Sequence, residues 1–219
     1  MIDISAHRIG PEPAARRVAF TLNIGAGAVA IWQGIFPNVL TGAACIAAPW
    51  IAVSVAAFNQ RFSSSAASAT STADIAGLWF PVLVLLVQAF FQQKMLEPLL
   101  PFLAALPFAL FLFAALLKAD LDARSASGIP FLIAACTAWA WASAIHINVA
   151  LDTSAPSRMD GTVLEIYSSR GPRRMTVFYG HAGQKALVSG LPAGDRQVGS
   201  PVVIERKNGR FGWRYLRAL

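Results

Sequence analysis

The 219-residue sequence predicts an α-helical membrane bundle of five transmembrane helices followed by a small C-terminal all-β domain of the oligonucleotide-binding or SH3-like kind. Three observations predict it. Hydrophobic residues make up 56% and charged residues only 13%, with a mean hydropathy of +0.54, against roughly 45–50% and about 25% in soluble chains. The charge is unevenly placed: residues 1–150 hold seven Lys/Arg and six Asp/Glu, whereas residues 151–219 hold eleven and five, and so carry six of the seven net positive charges. The apolar pattern also changes, from long unbroken runs to alternation beyond about residue 160. These features exclude disorder and argue against an ordinary soluble enzyme. They divide the chain into an N-terminal segment (1–17), a helical membrane domain (18–151) and a basic β domain (152–219).

A helix needs about 20 mostly apolar residues to cross a hydrocarbon core of about 30 Å. Five runs qualify, at about 18–36, 39–58, 75–92, 98–117 and 129–151, and none has Asp, Glu, Lys or Arg in its central part. A charge there costs several kcal/mol, and a soluble helix needs a polar face that these runs lack. Pro37-Asn38 turns the first two runs into a hairpin, and residues 59–74 form a low-complexity polar loop ending in Ser71, Thr72 and Asp74, potential caps for the third helix. Ala28 to Ala30 has the small-residue spacing of a signal cleavage site, but the apolar run continues to Phe36, so a topology anchor is expected.

Orientation follows the Lys/Arg count. With the N-terminus in the cytoplasm, Arg8, Arg16, Arg17, Arg61, Lys118 and Arg124 lie inside, against Lys94, Arg158 and Arg170 outside. An odd number of spans then puts residues 152–219 outside the cytoplasm. Within the spans, Asn23, Gly27, Ala30 and Gly34 share one face of the first helix, and Thr41, Ala44, Ala48 and Ala52 one face of the second; these small faces are expected to meet. Pro49, Pro81, Pro98, Pro101 and Pro107 fit the greater frequency of proline in membrane helices. The intramembrane polar candidates are Gln88 and Gln92, four residues apart, and His146, which lies roughly 9 Å past the centre of the fifth run at 1.5 Å per residue. Asn23, Gln33 and Asn148 are further polar residues there, and Glu97 lies at the same external end of the spans, where it is expected to be within approach of His146. Trp139 and Trp141 read as packing groups; Trp32 and Phe36 suit an interfacial aromatic belt.

The C-terminal part reads as five short strands at about 161–168, 175–179, 186–189, 202–206 and 211–216, the last two joined at Asn208-Gly209, a strong hairpin signal. Leu164, Ile166, Val177, Val202, Ile204, Phe211 and Trp213 form its expected core. A domain this small is marginal alone, so it is expected to lean on helix ends or on a second copy. Its basic residues, foremost Arg170, Arg173, Arg174, Arg206, Lys207, Arg210 and Arg214, form the candidate anion- or partner-binding cluster. Aromatics interleave with them, but an external location argues against nucleic acid and favours anionic lipid, an envelope polymer or a membrane protein partner. No P-loop, dinucleotide fingerprint, Gly-x-Ser-x-Gly or His-Glu-x-x-His occurs, and Cys45 and Cys136 both fall inside spans. No catalytic, cofactor or metal residue is assigned. The expectation is a non-enzymatic membrane anchor for a basic β domain, with a transporter or channel subunit carrying Pro-broken helices as the alternative.

The stretch Asn148-Val-Ala-Leu-Asp152-Thr-Ser154-Ala-Pro156 and the run Val198-Gly199-Ser-Pro-Val202-Val203, followed by Gly209, Gly212 and Tyr215, resemble uncharacterised bacterial multi-helix inner-membrane proteins with a short C-terminal β domain. That resemblance implies an inner-membrane location and no known activity. The ending is also similar to the small barrel of NfeD-like membrane proteins, which would imply a scaffold for stomatin-type partners.

Overall fold

The computed structural model describes residues 12–59, 61–63, 72–91, 94–120, 128–168, 173–181 and 184–218. It contains five α-helices: α1 (Pro13–Ile35), α2 (Val39–Phe58), α3 (Phe80–Phe91), α4 (Leu99–Ala119) and α5 (Gly128–Ala150). All but α3 are long and apolar enough to cross a membrane. The third run, expected as a full span, gives a four-residue 3-10 turn, Ala76–Trp79, and the 12-residue α3. Immediately upstream, Phe62–Ser63 (β1) and Ala73–Asp74 (β2) pair as a short parallel ladder. Asp74 does not act as the predicted cap, since the N-cap position is Ile75; its Oδ1 accepts from the Ala76 N–H at 2.7 Å in an Asx turn that leads into the 3-10 turn. Ser71 and most of the predicted polar loop, with Arg8 and Arg124, lie outside the described residues.

The chain divides into two compact units: Met1–Leu85 with Ala105–Trp141, and Leu86–Ala104 with Ala142–Leu219. In the first, α1 buries Ala15, Ala19, Ala26, Ala30 and Gln33. This face is offset from the predicted one: Gly27 is half-buried, Gly34 is exposed, and Asn23 turns instead to the start of the third run. There its Nδ2 donates to the Asp74 carbonyl at 2.9 Å, and a Cβ on Gly77 would sit 2.6 Å from its side chain. The offset follows from a third partner: α1 packs both α2 and the 3-10 turn, so its buried face points between them. The α1–α2 hairpin is tied by Gln33, whose Oε1 accepts from Asn38 N–H at 3.2 Å and from the Thr41 hydroxyl, while Asn38 caps α2. Pro49 removes one donor from α2; nearby, the Trp139 indole N–H donates to the Ile46 carbonyl at 2.9 Å and its ring meets Trp50 edge-on. Trp139 is thus a packing group, as its sequence position implies. Near the end of α4, buried Ser63 donates to the Asp120 carboxylate at 3.1–3.2 Å.

The second unit holds a six-stranded sheet. Its strands are β3 (Lys94–Met95), β4 (Ser157–Tyr167), β5 (Arg174–His181), β6 (Gln184–Pro192), β7 (Pro201–Lys207) and β8 (Tyr215–Ala218), in the order β3-β8-β7-β4-β5-β6. Because β6 also comes against β8, the sheet is a near-barrel. Its core includes Met159, Val163, Met175, Val177, Leu191 and Ile204. Three predicted core residues differ. Leu164 is exposed because the register with β5 slips between Val163 and Glu165; this bulge breaks the two-residue period, so Val163 and Ile166 both turn inward. Phe211 is exposed and Trp213 only half-buried, because residues 208–214 form a loop rather than the start of the last strand.

Candidate functional site

The loop at 208–214 departs from strand because a helix residue occupies it. Asn148, in the last turn of α5, is fully buried. Its Nδ2 donates to the Trp213 carbonyl at 3.0 Å, its Oδ1 accepts from the Phe211 N–H at 2.9 Å, and its own carbonyl accepts from the Arg210 N–H at 2.8 Å. Backbone groups that a hairpin ladder would have paired are therefore paired with α5. Glycines make the bend: Gly209 and Gly212 have φ of +69° and +77°, a region other residues enter at a cost. A Cβ on Gly209 would overlap the Asn148 amide, whereas one on Gly212 meets nothing within 4 Å. Gly212→Ala should therefore cost about 1 kcal/mol from backbone strain alone, and Gly209→Ala about 2 kcal/mol or more, because it also displaces Asn148. Denaturation midpoints of the two full-length variants in detergent measure the difference.

The residues after α5 hold the other side of the loop. Asp152 accepts from the Ser154 N–H at 2.7 Å, from the Tyr215 hydroxyl at 2.9 Å, and from Lys207 Nζ at 3.3 Å; its side chain is 1% exposed. The Ser154 hydroxyl oxygen accepts from the Asn208 N–H at 3.1 Å. Burial works to raise the Asp152 pKa, but the hydrogen bonds from Ser154, Tyr215 and Lys207 outweigh it and hold the carboxyl at about 2. Burial, then the adjacent Asp152 carboxylate, pushes the Tyr215 hydroxyl up. From the α3–α4 connection, Lys94 and Met95 pair with Leu216 and Tyr215, the Leu96 N–H donates to the Arg214 carbonyl at 3.0 Å, and Glu97 forms an ion pair with Arg214.

The basic residues predicted as one cluster fall into two groups. Arg206 pairs with Ser157 at one end of β4 and Arg174 with Tyr167 at the other, roughly 30 Å apart at about 3.3 Å per residue. At the far end the Arg173 guanidinium donates to the Gly194 and Arg196 carbonyls, both at 3.4 Å, and Arg174 donates to the Gly190 carbonyl at 2.8 Å. Arg170 lies outside the described residues. At the helix end stand Arg206, Lys207, Arg210 and Arg214, of which Lys207 and Arg214 are ion-paired. Arg206 and Arg210 have no side-chain ion pair or hydrogen bond among the described residues, and Arg210 is exposed. Phe211, 51% exposed, packs against Trp213, the ring centroids 5.0 Å apart and the planes tilted by 52°.

The intramembrane candidates do not assemble with these. Gln88 is buried and partnered, and Gln92 lies outside the described residues. His146 is half-buried, its Nε2 without a partner among the described residues, and Glu97 pairs with Arg214 rather than with it. Among the described residues no three His, Cys, Asp or Glu side chains are placed to hold a metal ion. Sequence reasoning passed over Asp152, Ser154 and Glu97 as anchoring residues, and read Asn148 only as a membrane polar group. Their signal was local: an amide in the last turn of an apolar helix, followed by an Asp-x-Ser turn. Comparison with protein-family models, with curated proteins and with solved structures finds no match.

Proposed function

We propose that this chain is a multi-pass protein of the bacterial inner membrane, with its N-terminus cytoplasmic and residues 152–219 on the external side. In this reading it is not an enzyme; it anchors a basic β domain that binds an anionic lipid, an envelope polymer or a protein partner. The observation that carries it is what the helices leave uncovered. Phe20 and Ile31 on α1, and Phe108, Leu110 and Phe111 on α4, are about two-thirds exposed. An apolar surface on this scale is out of place in water and suits contact with lipid. β3, from the α3–α4 connection, is a strand of the C-terminal sheet. That pairing puts the α3–α4 connection and the end of α5 on one side, as the two crossings by α4 and α5 demand; the external side itself rests on the Lys/Arg count and on a crossing by Ala76–Phe90, the 3-10 turn and α3 taken together as one shorter apolar helix.

Alkaline phosphatase fused at the C-terminus should be active and the same fusion within residues 64–71 inactive. A fluorescent cytoplasmic reporter that lights up at the C-terminus would overturn the orientation. Recovery of the protein in buffer without detergent would overturn the membrane assignment. A transport reading is favoured by one observation: the Ser143 Oγ and His146 Nε2 are buried, without a partner among the described residues, and one helical turn apart on α5. Flux through proteoliposomes that His146→Leu abolishes would support it.

A further inference from the structure

We infer that the loop 208–214 is a binding site for anionic phospholipid headgroups at the external face of the bilayer. The inference rests on the membrane reading above and assigns its ligand to one place. Asn148 lies two residues before the end of α5 and holds the loop through Arg210, Phe211 and Trp213. At 1.5 Å of rise per residue the attachment is about 3 Å from the helix end, the level at which an apolar helix meets water. The loop presents what that level selects. The exposed Phe211 ring and its neighbour Trp213 suit the interfacial zone, where aromatic residues gather. Beside them the Arg206 and Arg210 guanidinium groups make no ion pair or hydrogen bond among the described residues, and a guanidinium matches a phosphate with two parallel N–H groups. Lys207 and Arg214, by contrast, are held by Asp152 and Glu97. At the far end of β4, Arg173 and Arg174 donate to loop carbonyls. Among the described residues of the β domain, free charge and exposed aromatics thus coincide at the helix end, and the continuity of that end with an apolar helix selects phospholipid over a soluble anion.

The test uses the full-length protein in nanodiscs containing lipid brominated near the headgroup end of its chains, with tryptophan emission as the readout. The emission removed by Trp213→Phe isolates Trp213 from the other five tryptophans. This component should be half-quenched at a lower mole fraction of brominated phosphatidylglycerol than of brominated phosphatidylcholine. Arg210→Ala should raise the phosphatidylglycerol value about fivefold, which is what ~1 kcal/mol per basic residue at an anionic surface amounts to. Quenching of the other tryptophans but not of Trp213, or equal half-quenching by the two lipids, overturns the inference and leaves the membrane reading standing. Loss of the preference in 10 mM inorganic phosphate would mark a free-anion site and also overturn it. Absence of quenching from every tryptophan overturns both readings.

Discussion

Asn148→Ala is expected to speed tryptic cleavage at Arg210 and Arg214 about 100-fold in the full-length protein. The side-chain amide is fully buried and satisfies two backbone groups, the Phe211 N–H and the Trp213 carbonyl. Removing it leaves both without partners, at about 1–3 kcal/mol each. The loss falls on the loop's attachment to α5 rather than on the sheet core, so it appears first as local opening. Cleavage tracks the open population when closing is fast, and a combined loss of about 3 kcal/mol corresponds to the stated factor. Asn148→Asp separates the two bonds. A carboxylate still accepts from the Phe211 N–H but sets an oxygen against the Trp213 carbonyl, so Asp should be no better than Ala. Cleavage rates for both variants within twofold of the parent would show that the amide does not hold the loop.

How much of this was legible depended on whether the deciding interaction was local. The helices α2, α4 and α5 begin and end close to where hydrophobicity and the flanking polar residues place them, because length and apolarity alone set those limits. The third run opens as a 3-10 turn and continues as a 12-residue α-helix, just after the β1–β2 ladder, a pairing between residues eleven apart that composition does not record. In the β domain, alternation located the strands but not the side facing inward at residue 164, since one bulge reverses the parity. The Asn208-Gly209 signal was read correctly as a turn and wrongly as a tight one. What widened it was Asn148, 60 residues away. The basic cluster failed in a different way. Arg173 and Arg206 are alike in sequence context, and only the antiparallel register shows that they belong to opposite ends of one strand. The strand β3 had no signal at all: two residues between helices carry no period, and only the free edge of β8 gives them a partner.

Asp152→Ala should be the most destabilising single substitution near the loop, at about 3–5 kcal/mol, the range for removing one member of a buried charge pair. The carboxylate is 1% exposed and is held by Ser154, Tyr215 and Lys207 together, so its loss strands a buried hydroxyl and leaves the ammonium without its counter-charge. The same residue gives the domain an acid limb. Its pKa of about 2 lies below the ordinary 3.8, so the folded state favours the ionised form. That contribution, about 2 kcal/mol, is complete above pH 4 and drains away as pH falls from about 4 to 2. Tyr215 acts at the other extreme. Its pKa is raised, so the folded state favours the protonated hydroxyl, and stability is lost as pH climbs above about 10. The two limbs share one cause, because part of the Tyr215 shift comes from the Asp152 charge. Asp152→Asn should therefore flatten the acid limb and at the same time shrink the alkaline limb, whose size is set by how far the folded Tyr215 pKa is raised, and Tyr215→Phe should remove the alkaline limb outright. Unfolding midpoints of the full-length variants from pH 2 to 11 test the linkage. An Asp152→Asn protein that keeps the parent's alkaline limb would show that the hydroxyl and carboxylate titrate independently. A double variant, Asp152→Asn with Tyr215→Phe, should lose less than the sum of the two single losses, because each single change already breaks the hydrogen bond they share.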